Sequence, residues 1–110
     1  MRVVEYTRPD GRSPFRRWFE SLDAQAAAKV TTALSRIEEG NTGRLKWFRG
    51  LGECVIDWGP GYRIYLAKEG EALILLFGGG IKRTRFEDIR RAMALHEEYR
   101  KRGRMDKGGA

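Results

Sequence analysis

The sequence has one cysteine, Cys54, and one histidine, His96, among its 110 residues. A single thiol has no intramolecular disulfide partner, and a single imidazole cannot build a Cys/His cluster at metal-ligand spacing. These two scarcities exclude a disulfide-stapled scaffold and a zinc module, and a reducing cytoplasm fits them best. Long apolar runs are missing as well: the longest, Ala72 to Phe77, is strand-sized, far from the roughly 20 residues of a spanning helix. The first residues, Met1 to Tyr6, carry charge inside their only apolar run, which predicts neither a signal nor a transit peptide and no membrane role. Acidic residues are in short supply, 15 against 22 basic ones, giving a net charge of +7. Such a surplus points to a polyanionic partner, most often nucleic acid; its plain alternative is a soluble protein rich in surface lysine and arginine.

Apolar residues are sufficient for one core, at 41% with 11% aromatic, and the chain is too short for two. Val3, Val4 and Tyr6 suit an opening strand, followed by the turn Pro9-Asp10-Gly11. Ser13 and Pro14 read as N-cap and first position of a helix with Phe15, Trp18, Phe19 and Leu22 on one face. Asp23 caps a second helix with the stripe Ala26, Ala27, Val30, Ala33, Leu34 and Ile37, ended by Gly40-Asn41. From Asn41 to Gly52 the chain reads as a glycine-punctuated loop in which Arg44, Lys46 and Arg49 surround Leu45, Trp47 and Phe48. Cations there can meet phosphates while rings stack on bases, or the rings can cover the end of the core; for Phe48 the core reading is favoured.

Glu53 to Gly80 reads as a three-stranded meander, broken at Gly59-Pro60-Gly61 and at Lys68-Glu69-Gly70-Glu71 and ended by Gly78-Gly79-Gly80. A three-residue first loop pairs Trp58 with Tyr62, Ile56 with Ile64 and Cys54 with Leu66, and places Asp57 opposite Arg63 on the other face, with Tyr65 beyond. Burying one side of the sheet then leaves the Arg63 side open. Thr84-Arg85-Phe86-Glu87 has the form of a capping box opening a third helix, with Phe86, Ile89, Ala92, Met93, His96 and Tyr99 inward. His96 on that stripe reads as a structural imidazole. Residues 1–102 form the expected single domain and 103–110 an aperiodic basic tail expected to be disordered. The order β-α-α-β-β-β-α predicts an α+β fold: two helices cover one face of a small, mainly antiparallel sheet, and the third packs at an edge or end.

That order resembles a bacterial toxin family. So do the string Gly59-Pro60-Gly61-Tyr62-Arg63-Ile64-Tyr65, the strand ending in Gly78-Gly79, and Lys82 followed by Asp88-Ile89 and Ala92. The family is the RelE/ParE superfamily, in its addiction-module killer or HigB-like branch, and the resemblance covers nearly the whole chain. It implies a RelE-like fold and the toxin of a type II toxin–antitoxin system, usually a ribosome-dependent messenger RNA endoribonuclease needing no metal or cofactor. The implied partners are a cognate helix-turn-helix antitoxin, the ribosome with its message, and operator DNA only through the antitoxin. ParE-type relatives instead inhibit DNA gyrase without catalytic residues, and a non-catalytic RNA-binding module is a further alternative.

By the resemblance, Arg63 corresponds to the central-strand arginine beside the scissile phosphate. Lys82 and Arg83 fall at basic positions after the last central strand, and Lys46 lies in the preceding basic loop. Arg44, Arg49, Tyr65 and Arg85 complete the expected RNA-binding set. Val55 stands where many members of the branch carry an arginine, and Gly79-Gly80-Ile81-Lys82-Arg83-Thr84-Arg85 departs from their commoner G-G-D-K-S-x-Q. The expected site is therefore built of cations: Arg63 can fork two phosphate oxygens, and Lys46, Lys82, Glu53 and Asp57 are the candidate bases. Glu87 is assigned to the helix cap and Asp88 to the helix dipole.

Overall fold

The first two helices begin where their capping chemistry demands. In α1 (Pro14–Glu20) the Ser13 hydroxyl accepts from the Arg16 amide at 3.1 Å, and in α2 (Ala24–Glu38) Asp23 Oδ1 accepts from the Ala26 amide at 2.8 Å. Together they form the expected hairpin. The computed structural model describes residues 1–108, with side chains through Gly103.

Around the hairpin run β1 (Arg2–Glu5), β2 (Leu45–Phe48), β3 (Leu51–Ile56), β4 (Tyr62–Glu69) and β5 (Leu73–Ile81), then a 3₁₀ turn (Lys82–Thr84) and α3 (Arg85–Gly108). The five strands form one mixed sheet in the order β1-β5-β4-β3-β2, with β1 parallel to β5 and the remaining pairs antiparallel. The fold is α+β, with one strand more than the sequence predicts. β2 was expected as loop. It pairs with β3 through a two-residue turn in which Arg49 (φ 55°) and Gly50 (φ 78°) both have positive φ, as a tight hairpin of this kind requires.

The meander differs from its expected register. Ile56 pairs with Tyr62, Val55 with Arg63, Cys54 with Ile64, Glu53 with Tyr65 and Gly52 with Leu66. Residues 57–61 make up the loop, closed by hydrogen bonds from the Trp58 amide to Ile56 O (2.9 Å) and from the Gly61 amide to Trp58 O (3.1 Å). Shifting by two residues preserves the faces, because side chains alternate with a period of two. Asp57, however, leaves the strand and does not oppose Arg63.

Both faces of the sheet are covered. Cys54, Ile64, Leu66, Ile74 and Leu76 pack with Phe15, Val30 and Ile37 of the hairpin. On the other face Leu51, Tyr65, Ala67, Leu75 and Phe77 pack with Ala92 of α3 and with Tyr6, and Phe48, Ile89, Met93, Leu95 and Tyr99 adjoin them. This corrects the expectation of an open face: α3 lies across the sheet, not at its edge. Tyr6 ties the layers together, its hydroxyl donating to Glu98 at 2.7 Å and accepting from Arg102 at 3.1 Å. His96 is buried, its ring centroid 5.3 Å from that of Phe77. Helix α3 is continuous through Gly108, so the backbone of 103–108 is helical where a disordered tail was expected; the last two residues of that tail lie outside the described ones.

Candidate functional site

At the end of the second face beyond the apolar core, the side chains become charged. Glu53 is only 1% exposed yet ionisable, which is costly unless its oxygens are satisfied. Arg85 donates to both, from Nε to Oε2 at 2.8 Å and from Nη2 to Oε1 at 3.1 Å, and the Tyr65 hydroxyl donates to Oε2 at 3.2 Å. These bonds raise the Arg85 pKa, while burial, with Glu53 alongside, pushes the Tyr65 phenol far above its ordinary range. Arg63 reaches the same carboxylate from the neighbouring strand, with Nε 3.8 Å from Oε2.

Arg63 is held by the loop that precedes it. Its Nη1 donates to the Gly61 carbonyl at 2.7 Å, its side chain is 12% exposed, and its buried Nε has no hydrogen-bond partner. Gly61 (φ 77°) is needed twice: L residues rarely adopt that backbone, and a Cβ there would lie 2.9 Å from Arg63 Nη1 and 3.3 Å from Lys82 Cβ. Arg63 and Lys82 therefore meet on either side of one glycine. The Lys82 amide also donates to Pro60 O at 3.4 Å, joining the loop to the 3₁₀ turn.

Gly80, opposite Arg63 on β5, lets α3 approach. A Cβ on Gly80 would overlap Asp88, whose Oδ2 accepts from the Thr84 hydroxyl at 2.5 Å. The predicted capping box is thus corrected: the partner of Thr84 is buried Asp88, while Glu87 is exposed and 3.7 Å from Arg90. Asp88 and Arg85 occupy inward positions, and that sets the phase of the helix. Phe86 consequently turns outward, 79% exposed, instead of joining the apolar stripe.

The structure brings together Arg63, Lys82 and Arg85. Arg83 is exposed on the same 3₁₀ turn, and Lys46 is the strand partner of Glu53, on the same face. Lys46, Lys82 and Arg83 have no ion pair among the described residues. Other expected residues lie elsewhere. Tyr65 is fully buried and cannot touch RNA; Arg49 is at the tip of the β2–β3 hairpin; Arg44 lies on the side of the sheet occupied by α2. Asp57 lines a cleft beside Arg44, away from its expected position, and Glu53 is consumed by its partners; neither is placed to act as a base beside Arg63.

Sequence reasoning missed Glu53 as the centre of the cluster and Phe86 as an exposed ring. The available signal was the pair Arg85 and Asp88 at helix positions three apart: turned inward, they require a buried countercharge and displace Phe86. Among the described residues no group of three or more His, Cys, Asp or Glu side chains could hold a metal ion, and no helix is long and apolar enough to cross a membrane.

No family model matches the chain. It is 37% identical over 86 residues to an uncharacterized protein of Haemophilus influenzae, an alignment that covers 76% of this chain and 87% of that protein. Identity at that level over most of both chains places them together, and this chain belongs to the family of that Haemophilus influenzae protein.

Proposed function

We propose that this chain is the RelE-like toxin of a type II toxin–antitoxin system, acting in the cytoplasm as a ribosome-dependent endoribonuclease on messenger RNA. The observation that carries the reading is the meeting of Arg63 and Lys82 at Gly61, beside a carboxylate shared by two guanidinium groups. Two buried acids, Glu53 and Asp88, against Arg63, Arg85, Lys82, Arg83 and Lys46 leave a cationic surface suited to phosphate. The exposed Phe86 ring beside it offers a face for a base.

The chemistry is attack of the ribose 2′-hydroxyl on the adjacent phosphorus, giving a cyclic phosphate and a free 5′-hydroxyl. Arg63, oriented by the Gly61 carbonyl and Glu53, stabilises the phosphorane charge, and Lys82 adds a second donor from the other side of Gly61. With Glu53 engaged, proton removal falls to Lys46 or Lys82. The ribosome supplies the in-line geometry of the message. A helix-turn-helix antitoxin covering the cationic surface would silence it.

A second reading has its own observation. Glu53 is fully engaged and His96 is buried against Phe77, so neither can join an acid–base pair at the surface. That favours a ParE-like inhibitor of DNA gyrase, which needs no such pair; a module that only holds RNA is the weaker form of the same idea. Purified protein added to a translating extract, with message ends mapped by primer extension and DNA supercoiling assayed alongside, separates the three. Ribosome-dependent cuts that slow about 10²- to 10³-fold in a folded Arg63→Ala variant support the nuclease. Toxicity that survives Arg63→Ala without any cut refutes it.

A further inference from the structure

Beyond Leu45, where β2 begins opposite Cys54, the last residues of β3 lack a strand neighbour on that side, and a cleft of about 480 Å³ opens between them and α2. That volume is in the range of small-ligand sites, which run from about 300 to 1,000 Å³. Its charged lining is one-sided: Lys29 and Arg36 from α2 and Arg44 from the turn before β2, against a single acid, Asp57. None of the three cations has an ion pair among the described residues. Arg36 lies in the last turn of α2, where a cation favours the helix dipole. That explanation does not reach Lys29, about two turns back towards the middle of the helix, or Arg44, which is outside it.

An indole completes the lining. Lys29 Nζ sits 5.5 Å from the centroid of the Trp58 ring, and Trp58 is stacked on Tyr62 with centroids 6.1 Å apart and planes 23° from parallel. Two rings in register, one capped only by a flexible ammonium group, present a flat surface to a planar ligand. At the floor, buried Cys54 is an inert thiol: burial raises its pKa, with the Arg44 charge opposing.

We propose that this cleft is a nucleotide-binding site, in which Arg36, Arg44 and Lys29 take the phosphate and Trp58 stacks on the base. Lys29 leaves the indole for the phosphate, and the face it vacates receives the base. An exposed cation–π contact is weak, so the exchange costs little. Asp57 is badly placed for a second phosphate and well suited to accept hydrogen bonds from ribose hydroxyls, so the ligand is a ribonucleotide, free or within a single strand. The site is distinct from the Arg63 cluster, and the proposal stands whether or not the chain cleaves RNA.

The full chain titrated with AMP, with inorganic phosphate and with a short single-stranded oligoadenylate tests it by tryptophan emission and amide chemical shifts. AMP is expected to quench emission in the parent and not in Trp58→Phe, and to shift the resonances of Lys29, Arg44 and Trp58. Inorganic phosphate should bind about tenfold more weakly, lacking the stacking contribution. The double variant Arg36→Glu with Arg44→Glu should lose about tenfold or more in AMP affinity with an unchanged melting temperature. Tighter binding of the oligonucleotide with the same sensitivity to the variants identifies a strand as the source, and equal binding identifies a free nucleotide. Undiminished AMP affinity in the double variant overturns the site. So do shifts confined to Lys82 and Arg83, phosphate binding as tightly as AMP, or occupation by an acidic peptide while AMP does not bind.

Discussion

Gly79 and Gly80 are adjacent in sequence and face opposite layers. A Cβ on Gly79 would collide with the Trp18 ring of α1, and one on Gly80 with the Asp88 carboxylate at the start of α3. The contrast extends over both faces. Towards the hairpin the sheet shows Ile64, Leu66, Ile74 and Leu76, aliphatic side chains that pack with one another. Towards α3 it is apolar only in part, and at the other end Arg63 and Arg85 hold Glu53 while Thr84 and Arg91 hold Asp88. Burial of aliphatic area stabilises at all ionic strengths, whereas a buried ion cluster recovers little net energy and fixes geometry instead. One face is given over to apolar packing, and the other combines an apolar core with a charged end that holds a guanidinium in position.

The division can be broken by exchanging the expected sizes of effect. Leu66→Ala should cost about 3–4 kcal/mol in urea unfolding, because a fully buried side chain leaves a cavity among rigid neighbours. Glu53→Gln should cost about 2–3 kcal/mol, since it leaves Arg63 and Arg85 facing one another across a neutral amide. Its deficit should shrink as salt rises and that of Leu66→Ala should not; equal salt responses would mean the faces are not different in kind. Gly80→Ala should lose about 2 kcal/mol by pushing Asp88 away from Thr84, with the melting temperature as readout.

The smallest expected effect concerns pH. Burial lowers the His96 pKa, Arg100 lowers it further, and Glu69 and Glu97 oppose. A depressed folded-state pKa means that the unfolded chain binds the proton more readily. Stability from this group is complete above the unfolded value of about 6.5 and is lost as pH falls towards the lowered folded value. Chemical denaturation between about pH 7 and pH 5 should show this slope, and His96→Leu should flatten it. A slope unchanged by the substitution would move its origin to other groups, such as Glu98, whose pKa the Arg8 and Tyr6 hydrogen bonds lower.

Local chemistry was legible in the sequence. Ser13 and Asp23 cap their helices as read, β3, β4 and β5 follow the expected meander but run past it at both ends, to Leu51 and Ile81, and the two-residue period keeps Arg63 and Ile64 on their assigned faces. What escaped depended on conformations the residue types do not announce. Arg49 takes a positive φ that favours Gly, Asn or Asp, so its hairpin reads as loop and β2 goes unseen. A five-residue turn instead of a three-residue one detached Asp57 from Arg63. Arg85 and Asp88 look like surface charge, and only the fold reveals Glu53 and Gly80 waiting beneath them.

The parallel pairing of β1 with β5 has a temporal meaning. Arg2 aligns with Leu73, and β5 lies between β1 and β4, so the first strand made has no hydrogen-bonded strand neighbour until the last has been synthesised. Contacts so distant along the chain close late and slowly. Lys82 and Gly80, which flank Arg63, come from the same late segment. A nascent chain released before β5 therefore has Arg63 without the surroundings that orient it, and the cationic site comes into being together with the finished sheet.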